Sequence, residues 1–339
     1  MDKHLGFWLG SLLCIALHAD QPASQAQQAP VSHQVIEKQL SEAEKEFKIA
    51  KEMFNPWYAG PLLAPSAHIL PPGMVNIQPY LFFTNNYAQY SESGRSHGIP
   101  RLHQINAQFV ALIGVLSWMD ISVVGQGFRN TKKGHTSVNW GDTSLALNFG
   151  LLPEGPYNPA LLIGVQETFP TGPYQHLNPR KQGTNAIGEG SYQTKVSFNI
   201  SKVIWWIATH PIATRLSLGY NIPAPVTVKS FNTFGGGRGT HGKVKPGNTF
   251  SGDLGLEYSF TQRWVLACDF VYTYSQKTKF SGHTKAPVGG PFNDQLSLAP
   301  ALEYNPTPDL GFLAGVWFTV WGRNSFAFVS TVLTVTYTF

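Results

Sequence analysis

The chain has 339 residues, a formal net charge of +5 and only 13% charged residues, against about 25% in an average soluble domain. Aromatic residues also reach 13%, glycine occupies 33 positions, and lysine and arginine form no run, which gives nucleic-acid binding little support. Two cysteines allow neither a disulfide framework nor a cysteine-based metal site.

Residues 1–19 read as a secretory signal, with Lys3 in a short basic start, an apolar run from Leu5 to Leu17, and Ala19 at the cleavage position. The run is shorter than the roughly 18–20 residues that cross a bilayer as a helix, and no later segment reaches that length. Leu17 rather than a small residue stands three positions before the cut, and Leu13 speaks against lipidation at Cys14. Once the signal is removed, Cys268 is a lone thiol, read as a small apolar residue on a lipid-facing position.

Residues 20–31 are polar and low in complexity, which predicts a disordered linker. Residues 32–54 predict a periplasmic amphipathic helix, since Ile36, Leu40, Ala43, Phe47, Ala50 and Phe54 recur at three- and four-residue spacing. Three roles stay open for it: resting on the barrel rim, self-association, or plugging the barrel mouth. Residues 55–73 hold Pro56, Pro61, Pro65, Pro71 and Pro72, which forbid a regular helix or central strand and predict an extended tether.

From residue 74 to 339 the pattern changes to a period of two, the signature of strands with one apolar and one polar face. Twelve strands are predicted, near 74–87, 102–117, 119–130, 139–151, 159–170, 188–202, 210–222, 248–260, 263–279, 292–304, 309–321 and 324–339. Segments 203–209 and 223–247 leave ten or fourteen strands as alternatives. Connections at 88–101, 131–138, 171–187, 223–247 and 280–291 are long and all fall at one end, with a short one at 322–323. Those near 118, 152–158, 203–208, 261–262 and 305–308 fall at the other end and are mostly short. Long outer loops and short periplasmic turns are expected of a transmembrane antiparallel up-and-down β-barrel. Trp118, Trp140, Trp205, Trp206, Trp264, Tyr272, Tyr274 and Trp321 gather near strand ends, as two interfacial girdles would. The expected class is therefore all-β, with both termini periplasmic in the outer membrane of a Gram-negative-type bacterium.

The last strand places Leu333, Val335, Tyr337 and Phe339 on one face and Thr334, Thr336 and Thr338 on the other. Ending on a terminal aromatic, it resembles the C-terminal signal by which outer-membrane barrels engage the barrel-assembly machinery. A wider resemblance rests on Gly141-Asp142-Thr143-Ser144-Leu145-Ala146-Leu147, on Gly164-Val165 followed by Phe169-Pro170-Thr171-Gly172, and on Gly188-Glu189-Gly190-Ser191-Tyr192. Leu218-Gly219-Tyr220 and Gly252-Asp253-Leu254-Gly255-Leu256-Glu257-Tyr258 add to it. These stretches resemble the transporter-like barrels of the phenol-degradation meta-pathway family over roughly the last 200 residues. The resemblance implies an outer-membrane barrel that handles small, often aromatic or hydrophobic, compounds.

If the apolar faces meet lipid, alternation puts Asp120, Asp142, Lys195, Arg215, Asp253, Glu257, Asp269, Glu303 and Asp309 on the lumen wall, with Gln104, Asn106, Gln108, Ser122 and Gln126. Charges there must be hydrated or paired. They form either a solute-selecting constriction or a network that braces the barrel, and the excess of acids predicts a slight cation preference. His97, His103, His135, His176, His241 and His283 fall on outer loops without ligand spacing, so no metal site is expected. Phe234-Gly235-Gly236-Gly237-Arg238-Gly239 lacks the following helix of a phosphate loop. His135-Thr136-Ser137-Val138-Asn139 matches a barrel lipid hydrolase only loosely. The expected function is passive passage of small-molecule solutes, without catalysis or cofactor. The alternatives are a surface protein acting through its loops and, behind it, a lipid hydrolase. Solute and oligomeric state stay open.

Overall fold

The computed structural model describes residues 32–53, 56–207 and 210–339. The expected signal and linker lie outside them. Residues His33–Met53 form a helix, α1, inside the span 32–54 expected for one, and its Val35, Ile36 and Leu40 are exposed.

In chain order the strands are β1 (Val75–Tyr90), β2 (Ser96–Leu116), β3 (Met119–Lys132), β4 (His135–Trp140), β5 (Thr143–Leu152), β6 (Ala160–Phe169), β7 (Gln193–Ile207) and β8 (His210–Pro223). They continue as β9 (Val226–Lys229), β10 (His241–Lys245), β11 (Thr249–Ser259), β12 (Trp264–Ser275), β13 (Lys279–His283), β14 (Asn293–Thr307), β15 (Leu310–Arg323) and β16 (Phe326–Thr338). Hydrogen bonding runs β2-β1-β16-β15-β14-β12-β11-β8-β7-β6-β5-β3, and β3 pairs back to β2, so the sheet closes. Strand β4 continues the line of β5 beyond a break at Gly141-Asp142, and both pair with β3. Counting them as one staves the barrel with twelve antiparallel strands, as expected. Closure leaves no open edge, which lipid would not tolerate.

One row of cross-strand neighbours, Leu81-Leu333-Ala314-Leu302-Leu266-Tyr258, faces outward. Leu333, Leu302 and Leu266 are all exposed there, as are Phe83, Phe109, Leu145, Val196, Leu254, Phe270 and Val316 on the same outer face. Cys268 shares that face, between Leu266 and Phe270. Exposed apolar side chains on nearly every strand make a belt that only lipid can cover. Aromatic pairs mark its two margins. Trp118 stacks on Phe149 and Trp264 meets Tyr304 at the short-turn end, while Phe169 meets Tyr192 edge-on at the loop end.

The connections depart from expectation in three ways. Strands β1 and β2 run on into 88–101 and leave only a turn of 91–95, because their ladder resumes beyond a bulge near Asn86. Strands β3 and β4 form a tight hairpin where 131–138 was expected as a loop, their ladder running unbroken from Gly127–Trp140 to Lys132–His135. Residues 223–247 and 280–291 are not plain loops, since they contribute β9, β10 and β13, a separate three-stranded sheet. Its inner side buries Val226, Val228 and Val244 against Tyr174, Phe234, Phe280 and Val288, so the long connections fold together. Asp309 was expected on the lumen wall. It stands exposed in the β14–β15 turn, because β14 extends past Glu303 to Thr307 and takes the reversal with it.

Leu333→Arg, in the middle of the outward belt, should cost about 2–4 kcal/mol, read from denaturant refolding into lipid vesicles. A change below about 0.5 kcal/mol would mean that this face does not meet acyl chains.

Candidate functional site

The proline-rich segment does not simply lead to the first strand; it crosses the inside of the barrel. Five of its residues are proline and donate no amide hydrogen. Among the remaining amides, Ala59 donates to Glu303 Oε1, Leu63 and Ala64 to the two oxygens of Asp269 at 3.3 and 3.0 Å, and Leu70 to Asp120 Oδ2 at 3.0 Å. Ala67 donates to Ser201 Oγ at 2.9 Å, Trp57 to the Gln262 carbonyl at 2.9 Å and Gly73 to the Gly114 carbonyl at 2.9 Å. Three of the nine charged residues expected on the lumen wall are thus acceptors for the segment's backbone.

The wall is shaped to receive it. An inward row of cross-strand neighbours, Phe82-Val332-Gly315-Ala301-Ala267-Glu257-Ala213, consists mainly of small residues. Leu62 fills the space they leave and packs with Phe82, Ala267, Ala299, Ala301, Leu313 and Val332. A fully buried leucine stabilises such a seat by roughly 1.5–3 kcal/mol. A Cβ on Gly315 would come within 2.5 Å of Leu62 Cδ1, one on Gly255 within 2.6 Å of Pro61 Cγ, and one on Gly150 within 2.7 Å of Ile69 Cγ1. Further along, Ala67 and Ile69 pack on Ala160 and Leu162. Gly60 has φ +111, and its Cβ would come within 2.6 Å of Arg215 Nη1, so backbone conformation and close approach both call for glycine. Arg215 in turn pairs with Glu257, Nε to Oε2 at 3.2 Å.

The lumen therefore has two zones. At the plug level Asp120, Glu257, Asp269 and Glu303 are at most 1% exposed. Toward the loop end, Gln104, Asn106, Gln108, Ser122, Gln126, Lys195 and Asp253 are half-buried and face the interior. Of the expected wall charges, only Lys195 and Asp253 stay in this wetter zone. Of the acids behind the expected cation preference, Asp120, Asp142, Asp269 and Glu303 accept backbone amides and Glu257 pairs with Arg215, while Asp309 is exposed in a turn. Asp142 acts elsewhere, at the loop end. Its two oxygens accept the Gly172 and Glu189 amides at 2.9 Å each, pinning residues 170–192 to the wall.

Sequence reasoning missed an aromatic patch on the inner wall. Tyr80 stacks on Phe82 at 5.7 Å, and Trp317 meets Phe328 edge-on at 4.8 Å while donating to Ser297 Oγ at 2.9 Å. All four lie on inward positions of β1, β15 and β16; Phe82 and Phe328 are buried, Phe82 against Leu62, while Tyr80 and Trp317 are half-buried at the edge of that core. Alternation alone could have placed them, had the inward face not been assumed polar. The hydrolase string makes no catalytic pair: Ser137 Oγ bonds Thr184 Oγ1 at 2.9 Å, and His135 lies opposite Lys132.

Residues 98–335 match the family described as "Putative MetA-pathway of phenol degradation". The chain belongs to this family. Among solved structures it is similar to an outer-membrane channel from Pseudomonas putida F1, with 14% identity, 82% of this chain and 100% of that chain covered, and a TM-score of 0.65. The translocator domain of an autotransporter from Neisseria meningitidis aligns at 10% identity over 91% of this chain and 99% of that one, with a TM-score of 0.45. The first shares the barrel fold; the second is too distant to carry an argument. No curated protein matches the chain at significant similarity.

At the short-turn end, outside the strands, Glu154 accepts from His68 Nε2 at 2.9 Å and from the Val203 amide at 2.9 Å, with Lys202 Nζ 3.7 Å away. Burial alone would raise its carboxyl, but the bonds from His68 and Val203 and the charges of His68 and Lys202 outweigh it, holding the group below the ordinary 4.5. A carboxylate depressed on folding adds stability above its unfolded pKa that is lost as pH falls through the lower folded value. Exchange of the Ala67–Leu70 amides, corrected for intrinsic rate, should therefore speed up as pH drops below 4.5, and Glu154→Gln should remove that acid step. An acid step that survives in the variant would show that Glu154 is not the tie. Gly315→Val should evict Leu62 and raise single-channel conductance several-fold. Unchanged conductance would show that the segment does not limit the pore.

Proposed function

We propose that this chain is an outer-membrane channel for passive passage of small aromatic or apolar molecules, with its N-terminus and short turns on the periplasmic side. The observation that carries the reading is the half-buried pair Tyr80 and Trp317 on the inner wall where the polar zone meets the plug, backed by the buried rings of Phe82 and Phe328. Aromatic faces hold flat, weakly hydrated solutes by stacking worth about 0.5–1.5 kcal/mol beyond area burial, and such shallow sites suit conduction. Its membership of the family and the barrel fold it shares with a bacterial channel support the same reading. The name of that neighbour, an outer-membrane channel, is extended to this chain here as an inference.

Passive passage asks for no covalent chemistry or cofactor: polar groups of the wall bind the segment in the lumen, and Ser137 Oγ bonds Thr184 Oγ1. Strand β16 presents Leu333, Val335 and Tyr337 outward and Phe339 follows it, exposed, which suits lipid contact and capture by the barrel-assembly machinery. The lumen carboxylates Asp120, Asp269 and Glu303 act on solutes indirectly, by fixing how much of the bore the proline-rich segment fills.

Two bilayer-impermeant sugars test the aromatic patch. Liposomes carrying the refolded barrel should admit phenyl glucoside at least threefold faster than the smaller methyl glucoside. The double variant Trp317→Ala/Phe328→Ala should erase that advantage. Equal rates in the wild-type protein, or a preference that persists in the variant, would sink the reading.

A further inference from the structure

Positive charge concentrates in the long connections at the loop end. Residues 170–192, 224–248 and 276–292 together hold nine lysines and arginines against one acidic residue, Glu189. The whole chain has a formal charge of only +5, so the residues outside these loops are together net negative.

Much of the positive charge is gathered on one face of the small sheet formed by β9, β10 and β13. Alternation sends Val226, Val228, Val244 and Phe280 to the inner side. The opposite side shows Lys229, His241, Lys243, Lys245, Lys279 and His283, all exposed. Thr227 and Ser281 complete it as hydroxyl donors beside Lys243. Register sets like charges side by side, with Lys245 directly opposite Lys279, and Lys229 next to His241, which is opposite His283. The two imidazoles stack at 5.5 Å, and His241 Nδ1 donates to the Gly239 carbonyl at 3.3 Å. Among the described residues, none of the four lysines has a carboxylate at ion-pair distance.

Like charges directly opposite one another destabilise a two-strand ladder. A short sheet with four lysines, two imidazoles and no acid on one face is therefore a poor solution for stability alone. It becomes a good one if an anion covers it, since several ammonium groups spaced by cross-strand neighbours attract a multiply charged partner additively. In the orientation given under the proposed function, on which this inference rests, the loops stand in the leaflet of lipopolysaccharide, whose inner sugars carry phosphates and carboxylates.

We infer that the exposed face of the β9–β10–β13 sheet is a docking surface for the phosphate-bearing core of lipopolysaccharide. The docked glycolipid neutralises the lysines, holds the folded loops in place over the barrel and anchors the channel in that leaflet.

The test uses the full-length protein in detergent micelles and, as probe, deacylated core oligosaccharide with its phosphates, which has no acyl chains to partition into micelles. Calorimetry should find binding that weakens as salt rises. The variant Lys229→Gln/Lys243→Gln/Lys245→Gln/Lys279→Gln should bind at least tenfold more weakly, with its β-sheet circular dichroism and methyl glucoside passage unchanged. Dephosphorylated oligosaccharide should not bind. Binding by the glutamine variant within twofold of wild type, or equal binding of dephosphorylated probe, would overturn the inference. So would self-association of the wild-type protein that the variant abolishes while no oligosaccharide binds. Labelling of the Lys245→Cys variant by an impermeant thiol reagent on intact cells tests the orientation separately, so failure of that reading is distinguishable from failure of the docking chemistry.

Discussion

Everything inside this barrel depends on hydrogen bonds from a strand-less peptide to carboxylates on the wall. An extended segment has no partner of its own for its amides. A carboxylate facing a dry lumen likewise needs a donor, since leaving a buried charge unpaired costs several kcal/mol. Each meets the other's need. The prolines help by removing five amides that would otherwise need acceptors, and Asp269, Glu303, Asp120 and Ser201 stand opposite some of those that remain.

That pairing divides the bore. Below, small residues on the wall and Leu62 make a packed apolar core like those of narrower barrels. Above, amides, hydroxyls, Lys195 and Asp253 keep a polar interior. The aromatic patch sits at the boundary, held by the Trp317–Ser297 bond and the stacking of Tyr80 on Phe82. A solute entering from the loops would meet water-friendly groups first, then rings, then the segment. Under the proposed function, passage along such a path depends on how firmly the segment is seated rather than on a ring of charges. The acids that a sequence reader would assign to ion selection act as structural acceptors.

The two ends of the barrel are built by different physics. The short-turn end is tied by single polar contacts, such as Glu154 to His68 and Val203, and by the segment's amides to Gln262 and Gly114. The loop end is a small folded unit whose valines and aromatics bury one side of a sheet and leave lysines on the other. Asp142 joins this unit to the wall through the Gly172 and Glu189 amides, which explains an acid placed at a strand break.

Much of this is legible in the sequence. The twelve strands, the side each residue faces and the lipid belt follow from a period of two, which is a local property of extended chain. Strand ends were less legible, because β1 and β2 are extended by their mutual ladder rather than by their own residues, and Asp309 moved into a turn for the same reason. The separate sheet of β9, β10 and β13 was hidden, since three short strands far apart in sequence carry no common local signal. The fate of the lumen was hidden most deeply. Five prolines announced an extended segment, but nothing local says that it lies inside the barrel. Ala59 finds Glu303 across 244 positions and Leu70 finds Asp120 across 50, and only ring closure and register bring such pairs together. The amino-acid sequence thus determined the cylinder and its two faces, because alternation needs only neighbours along the chain. Tertiary structure decided what fills the cylinder, because the acceptors for the segment's amides are assembled from strands on opposite sides of the ring.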